Sequence, residues 1–420
     1  MKAKLIFAAL AACVLATTAT AQEQHGWRGA NRDGIYHETG LLKEWAATGP
    51  EQLWETLDAG KGYSSPVIVG DRLYITGMNE DETQEIFSAY SLDGKKIYAV
   101  EYSEVWNKTY PETRTTPAIV DGKAYVISGM GRVVCLNIED GSEAWSVDGV
   151  EQFGSEVGTW GTSECPLVFD GKVIYCPGGQ QTAVVALDAS TGATIWKSKS
   201  LEQKNNYASP LLIEHMGKQQ IIALTAADVI GVNPENGEIE WTYGDWGQNM
   251  LDNGWEKIAP NTPLYKDGKI FVCNGYNMDS FMLQLNNDLT GVELLWSSNV
   301  MDTHVGGFVL LDGIIYGSNW EDNSKGNWAA IDWNTGETKY DHSWGSGKSK
   351  GSIIAADSML YIYDEKRGYV GLLRATPDQF DLVSEFRITK GEGPHWAHPV
   401  IADGVLYIRH GNALMAYEVK

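Results

Sequence analysis

An apolar strand, a two-residue turn and a second apolar strand recur eight times along this chain, and no other feature restricts its fold as much. The turns fall at Gly70-Asp71, Asp121-Gly122, Asp170-Gly171, Met216-Gly217, Asp267-Gly268, Asp312-Gly313, Asp357-Ser358 and Asp403-Gly404. Asp-Gly between strands favours the type I′ hairpin, because Asp tolerates and Gly freely accepts the positive φ angles it needs. A second phrase follows each hairpin: a strand ending in small or apolar residues, a Thr/Asn/Asp-Gly turn, then a strand carrying an aromatic. Its fullest form is Ala186-Leu187-Asp188-Ala189-Ser190-Thr191-Gly192-Ala193-Thr194-Ile195-Trp196. Variants end at Trp145, Trp241, Trp296 and Tyr340, with weaker copies ending at Ile97 and Phe386.

Each unit therefore reads as four short antiparallel strands, and no segment sustains a 3.6-residue apolar period over a helical length. Four-stranded units repeating at roughly 40–50 residues are the pattern of propeller blades. The fold expected is all-β, an eight-bladed β-propeller of four-stranded antiparallel blades. The last unit, from His398 to Lys420, stops after its third strand, while Glu51–Leu57 precedes the first hairpin as an orphan strand carrying Trp54. That N-terminal strand is expected to complete the eighth blade and leave no sheet edge open. No Pro/Gly/Ser-rich linker interrupts the array, so residues 22–420 read as one domain, expected to be a monomer.

Residues 1–21 are set aside as a signal peptide. Lys2 and Lys4 precede an apolar run from Leu5 to Leu15, and Ala19-Thr20-Ala21 offers a small-x-small cleavage site. The expectation is a periplasmic or secreted protein without a membrane span; lipoprotein anchoring through Cys13, in Leu10-Ala11-Ala12-Cys13, is the alternative. The formal charge of −23 makes nucleic acid and anionic lipid poor partners. Cys165 and Cys176 flank the Asp170-Gly171 hairpin, and counting outward sets them opposite one another. They are either a cross-strand disulfide or two buried free thiols. Cys135 and Cys273 show no Cys-x-x-Cys spacing, and no metal site is expected.

The phrase Ala-Leu-Asp-x-x-Thr-Gly-x-x-x-Trp resembles the tryptophan-docking repeat of the quinoprotein superfamily, propellers related to pyrroloquinoline-quinone (PQQ) dehydrogenases. Trp27-Arg28-Gly29-Ala30-Asn31-Arg32-Asp33-Gly34, Gly62-Tyr63-Ser64-Ser65-Pro66, the run Gly306–Gly317 and Trp396-Ala397-His398-Pro399-Val400 look like a narrower group. These are secreted bacterial PQQ-binding-like β-propeller repeat proteins, labelled alcohol or polyvinyl-alcohol dehydrogenase-like. The repeat is a packing device, and similar repeats build the non-catalytic lipoprotein of the outer-membrane barrel-assembly machinery, so the fold does not carry the function. The dehydrogenases are alike in a vicinal Cys-Cys disulfide, a Ca²⁺ held by Glu and Asn, and a catalytic Asp. This chain has no adjacent cysteines and no Cys-x-x-Cys-His motif.

Site candidates follow from topology. Loops joining the outer strand of one blade to the inner strand of the next converge at one mouth of the central channel. They contribute Tyr63, Arg114, Trp160, Glu164, Tyr207, Asn261, His304, Lys350, His395, Trp396 and His398. Aromatic faces with interspersed hydrogen-bonding groups suit a sugar, a polyol or a planar ligand. His304 is the foremost expectation for a ligand contact; Trp160, Trp396 and His398 read as packing residues. Glu164 with Asn261 could hold Ca²⁺. Arg114 would favour an anionic ligand or pair with Glu112 or Glu164. The loop segments Trp106–Tyr110 and Asp245–Trp255 add aromatics at a second surface. No nucleophile elbow, His-Glu-x-x-His or phosphate loop occurs, so no catalytic residue is assigned. The function expected is a non-catalytic binding or scaffold protein for an envelope protein or a carbohydrate or polyol ligand. The alternative is a quinone-dependent alcohol or polyol dehydrogenase, with PQQ and Ca²⁺ as cofactors under that reading alone.

Overall fold

The computed structural model describes residues 25–204, 206–244, 258–345 and 347–420. The leader expected over residues 1–21, with Cys13, and the loop segment Asp245–Trp255 lie outside the described residues. Eight four-stranded antiparallel blades follow in chain order, their inner strands beginning at Val67, Ala118, Leu167, Leu211, Leu264, Phe308, Gly351 and Val400. The hairpin turns adopt the expected left-handed geometry: Asp121 has φ 49° and Gly122 φ 74°, Asp312 φ 48° and Gly313 φ 81°. At Gly70-Asp71 only Gly70 is in that region, at φ 60°, as in a type II′ turn.

Closure is as the orphan strand implied. Glu51–Thr56 pairs antiparallel with Ala413–Glu418, forming the outer strand of the blade whose other strands come from the C-terminus. The core is spread between blades; Ala118, Tyr125, Val133 and Trp145 of the second blade pack against Val168, Tyr175 and Leu187 of the third. Blade-to-blade docking uses the aromatic of one outer strand and the glycine turn of the next blade. Trp145 donates its indole N–H to the Ala189 carbonyl at 2.9 Å. A Cβ at Gly192 would meet the Trp145 ring at 2.6 Å, so only glycine lets that turn sit on the ring. Trp196 repeats the arrangement with the Pro234 carbonyl at 3.1 Å, and Trp54 with that of Leu92 at 2.7 Å.

Two of the weaker repeat copies need correction. In the first blade the docking ring is Tyr98, which pairs with Ala89 and donates to the Ile138 carbonyl at 2.7 Å, while Ile97 is exposed. A bulge in the outer strand shifts the register by one residue there. In the seventh blade the docking position, just after the bulged residue of the outer strand, is Ser384, not Phe386. Trp45 of the N-terminal arm fills the gap: its ring lies 5.9 Å from Tyr361 and its backbone N–H donates to Ser384 Oγ at 2.9 Å.

The N-terminal segment before that arm was not anticipated as a structural element. It enters on the inner strands and threads the ring's axis. His25 exchanges two backbone hydrogen bonds with Ile119. Arg32 donates to the carbonyls of Cys165, Pro166 and Pro210. Arg28 donates to the carbonyls of Phe308 and Ile353, and Ile35–Tyr36 pairs in parallel with Ala355–Ala356. Backbone groups from inner strands of at least five blades thus meet one strap, which closes the channel below the mouth. Gly307 is required beside it, since a Cβ there would lie 2.3 Å from Arg28 Nη1.

Candidate functional site

Above the strap lies a cavity of about 810 Å³. Six inner strands open with a proline (Pro66, Pro117, Pro166, Pro210, Pro263 and Pro399), and the two-residue alternation of extended backbone sorts the residues before it. Third before the proline, Tyr63, Arg114, Ser163, Tyr207, Pro260 and Trp396 all face the cavity. Second before it, side chains turn into their own blade: Ser64 donates to the Thr76 carbonyl, Thr115 to that of Ile127, and Glu164 accepts the Cys176 N–H. Of the expected residues, Tyr63, Arg114, Trp160, Tyr207, His304, Trp396 and His398 line the cavity, and Glu164, Asn261, Lys350 and His395 do not.

Those four have structural surroundings. Glu164 is fully buried, and burial pushes its carboxyl up to about 8. Asn261 donates to the carbonyls of Thr303 and His304 and accepts the Gly307 N–H. Each is closed within its own neighbours, so the structure does not assemble them into a calcium site, and among the described residues no three His, Cys, Asp or Glu could hold a metal ion. Lys350 is buried and pairs with Glu365 at 2.7 Å. His395 lies beneath the mouth against the Tyr363 hydroxyl, its ring stacked on His410 at 3.5 Å. Cys165 and Cys176 are both buried free thiols. Of the two readings left open for them, the structure has the unbonded one: the Cys165 sulfur accepts the Thr116 N–H at 3.3 Å.

The cavity also holds residues the junction argument missed. Tyr276, Trp320 and Glu365 come from loops between the second and third strands of their blades. Antiparallel pairing returns the end of the second strand to the start of the first, so these loops share the mouth, a signal present in the repeat pattern itself. Tyr110, from the Trp106–Tyr110 segment, and Trp27, from the strap, also line it.

Aromatic rings dominate the wall. Trp396 lies 4.9 Å from Tyr63 and 5.2 Å from Tyr110, Trp160 5.9 Å from Tyr207, and Tyr276 5.2 Å from Trp320. His304 Nε2 meets the Tyr276 hydroxyl at 2.6 Å, and burial with the nearby Lys350 charge holds the imidazole neutral, its pKa pushed down to about 3. His398 is likewise pushed down to about 3, by burial and by Arg28. Glu365 carries the cavity's carboxylate, tied to Lys350; its pKa is raised by burial.

Arg114 supplies a cation. It donates to the carbonyls of Glu112, Thr109 and Tyr110 and stands 5.8 Å over the Tyr63 ring. The lining does not fit a planar tricarboxylate quinone with its calcium: Lys350 is neutralised by Glu365, Arg114 is left as a single cation for three carboxylates, and no carboxylate cluster among the described residues is placed to hold the metal. No helix among the described residues is long and apolar enough to cross a membrane.

Comparison with known proteins agrees with the repeat. Residues 88–342 match a family model described as outer membrane protein assembly factor BamB. A protein of that name from Alkalilimnicola ehrlichii is 24% identical over 183 residues, covering 43% of this chain and 42% of the relative. Quinoprotein alcohol dehydrogenase PedH of Pseudomonas putida is 27% identical over 167 residues, 36% of this chain and 24% of that protein. The matches thus span less than half the length of these relatives. Among solved structures, BamB from Moraxella catarrhalis superimposes with a TM-score of 0.64 at 15% identity, covering 88% of this chain and 99% of that one. Quinohemoprotein alcohol dehydrogenase from Comamonas testosteroni gives a TM-score of 0.68 at 13% identity, covering 93% and 79%. These likenesses show the fold. With the family match running over more than half of its length and eight four-stranded blades making up the ring, the chain belongs to the PQQ-type β-propeller repeat family.

Proposed function

We propose that the protein is an exported, non-catalytic binding protein that takes a carbohydrate-like ligand into the mouth cavity. The observation that carries this reading is the wall of Tyr63, Tyr110, Trp160, Tyr207, Tyr276, Trp320 and Trp396 around a closed-bottomed space of about 810 Å³. Aromatic faces bury the apolar faces of sugar rings, and neutral imidazole, amide and hydroxyl groups between them serve ligand hydroxyls. His304, Asn277, Asn323, Ser163 and Ser209 are such groups here. The name of the BamB relatives supports a second occupant, a segment of an envelope protein, docking over the same rim.

The dehydrogenase relatives favour oxidation of an alcohol or polyol with PQQ and Ca²⁺ instead, and the poor fit of the lining to that cofactor argues against it. A glycan array probed with labelled protein, run beside dye-reduction assays after incubation with PQQ and Ca²⁺, separates the readings. Glycan signal abolished by Trp396→Ala, without dye reduction, is the expected result. Stoichiometric PQQ uptake with alcohol-dependent turnover would sink the binding-protein reading.

A further inference from the structure

The charge inside the cavity narrows the ligand further. The whole chain is strongly acidic, at −23, yet the cavity presents Arg114 without a carboxylate at ion-pair distance among the described residues. Its guanidinium is held by the carbonyls of Thr109, Tyr110 and Glu112 alone. Glu112 and Glu85 lie within electrostatic reach of it. Glu85 is buried and occupied by the Tyr102 hydroxyl and the Gly129 N–H, and Glu112 lies against Tyr63. The other cation near the site, Lys350, is neutralised by Glu365. A desolvated cation is costly unless an anion or hydrogen-bond acceptors meet it. Three carbonyls use three of the five guanidinium N–H groups, leaving donors for an incoming acceptor.

Arg114 also stands beside stacking surfaces: the Tyr63 ring beneath it, Trp396 against Tyr63 and Tyr110, and Tyr207 within its field. A charged group next to aromatic faces, with neutral hydrogen-bonding side chains opposite, matches a sugar ring that carries its own carboxylate.

We infer that the cavity is selective for acidic saccharides, with a uronate carboxylate at Arg114 and the sugar face against Tyr63, Tyr110 and Trp396. This rests on the carbohydrate-binding reading above and adds the charge of the ligand to it. An acidic peptide would satisfy Arg114 but would leave the ring faces and the neutral wall of His304 and Asn277 without matching hydroxyls.

Isothermal titration with trimers of galacturonate, glucuronate and mannuronate, each against its fully methyl-esterified form, tests it on the full mature chain. Esterification removes the charge and adds a methyl group, while the sugar ring and its hydroxyls stay as they are. At least one acid trimer is expected to bind about tenfold or more tighter than its ester, the scale of a charge-assisted hydrogen bond. Arg114→Gln should abolish that preference by weakening the acid far more than the ester, Arg114→Lys should restore part of it, and Trp396→Ala should weaken acid and ester alike. Retained ester binding by Arg114→Gln also shows that the variant folds. Equal affinity for acid and ester in all three pairs overturns the inference while the carbohydrate reading stands. If no trimer binds in either form and a hexaglutamate peptide does, both fall.

Discussion

The Arg28 guanidinium lies 3.1 Å from Nδ1 of His398, joining the N-terminal strap to the floor of the mouth cavity. Because arginine can only donate, Nδ1 accepts, and the ring proton sits on Nε2, which faces the Val305 carbonyl at 3.2 Å. Both nitrogens are thereby occupied, and His398 offers the cavity its ring rather than a polar group. Trp27, one residue before Arg28, packs on that ring at 5.4 Å.

Arg28→Met leaves the carbonyls of Phe308 and Ile353 and the His398 nitrogen without donors in the middle of the ring. A loss of at least ~3 kcal/mol is expected from buried unpaired acceptors, read as a lowered urea midpoint. Arg28→Lys should recover little of it, since an ammonium cannot reproduce the planar fork. Wild-type stability in either variant would remove the strap from the account.

Stability should peak at mildly acidic pH. His304, His395 and His398 are each pushed down to about 3, chiefly by burial. The unfolded chain takes up these protons near pH 6.5, so their contribution is full above that and is lost as the pH falls toward 3. Glu85 and Glu164 are pushed up by burial to about 7 and about 8. The folded state keeps protons that the unfolded chain releases near 4.5, so this contribution is full below that and is lost as the pH rises through 7 to 8. Urea midpoints between pH 4 and 9 are expected to fall on both sides of a maximum near pH 5 to 6.5, with Glu85→Gln and Glu164→Gln together flattening the alkaline limb. A midpoint that rises from pH 6.5 to 8.5 would contradict this.

Trp45 should behave as a blade residue despite lying in the N-terminal arm. Trp45→Ala is expected to cost ~3–5 kcal/mol, the scale for a buried tryptophan, and Trp145→Ala a similar amount. Exposed Ile97 should lose no more than about 0.5 kcal/mol on replacement by Ala. Chemical denaturation of the three variants ranks them directly.

The thiols give a covalent check. Iodoacetamide under denaturing, non-reducing conditions should alkylate Cys135, Cys165, Cys176 and Cys273, all of them buried and free. In the native state none should react, as burial raises the pKa of each. Protection of Cys165 and Cys176 after denaturation would reveal a bridge.

Most of the architecture was legible because the repeat repeats its turn chemistry. Asp-Gly pairs set the hairpins, and the missing fourth strand beside Lys420 identified Glu51–Thr56 as its complement. The docking ring was misread at Ile97 because an outer-strand bulge moves the register by one, and at Phe386 because the ring arrives from Trp45, far off in sequence. The site was half legible. Junction loops gave Tyr63, Arg114, Tyr207 and Trp396, but position alone does not say which way a side chain points. Counting back from each proline separates Arg114 from Glu164 and Tyr207 from Asn261. The strap stayed hidden for another reason: Trp27–Gly34 has no alternation or helical period, and its conformation comes from inner-strand carbonyls contributed by distant blades.

The central claim is that the mouth cavity, and not the ring of docking tryptophans, is where a ligand is met. With 5-fluorotryptophan in place of all 16 tryptophans, fluorine NMR reads each indole during titrations with the galacturonate, glucuronate and mannuronate trimers in turn. Shifts are expected for Trp27, Trp160, Trp320 and Trp396, with Trp54, Trp145, Trp196, Trp241 and Trp296 unmoved. Shifts confined to the docking set, or a spectrum that changes with none of the three trimers, would contradict it.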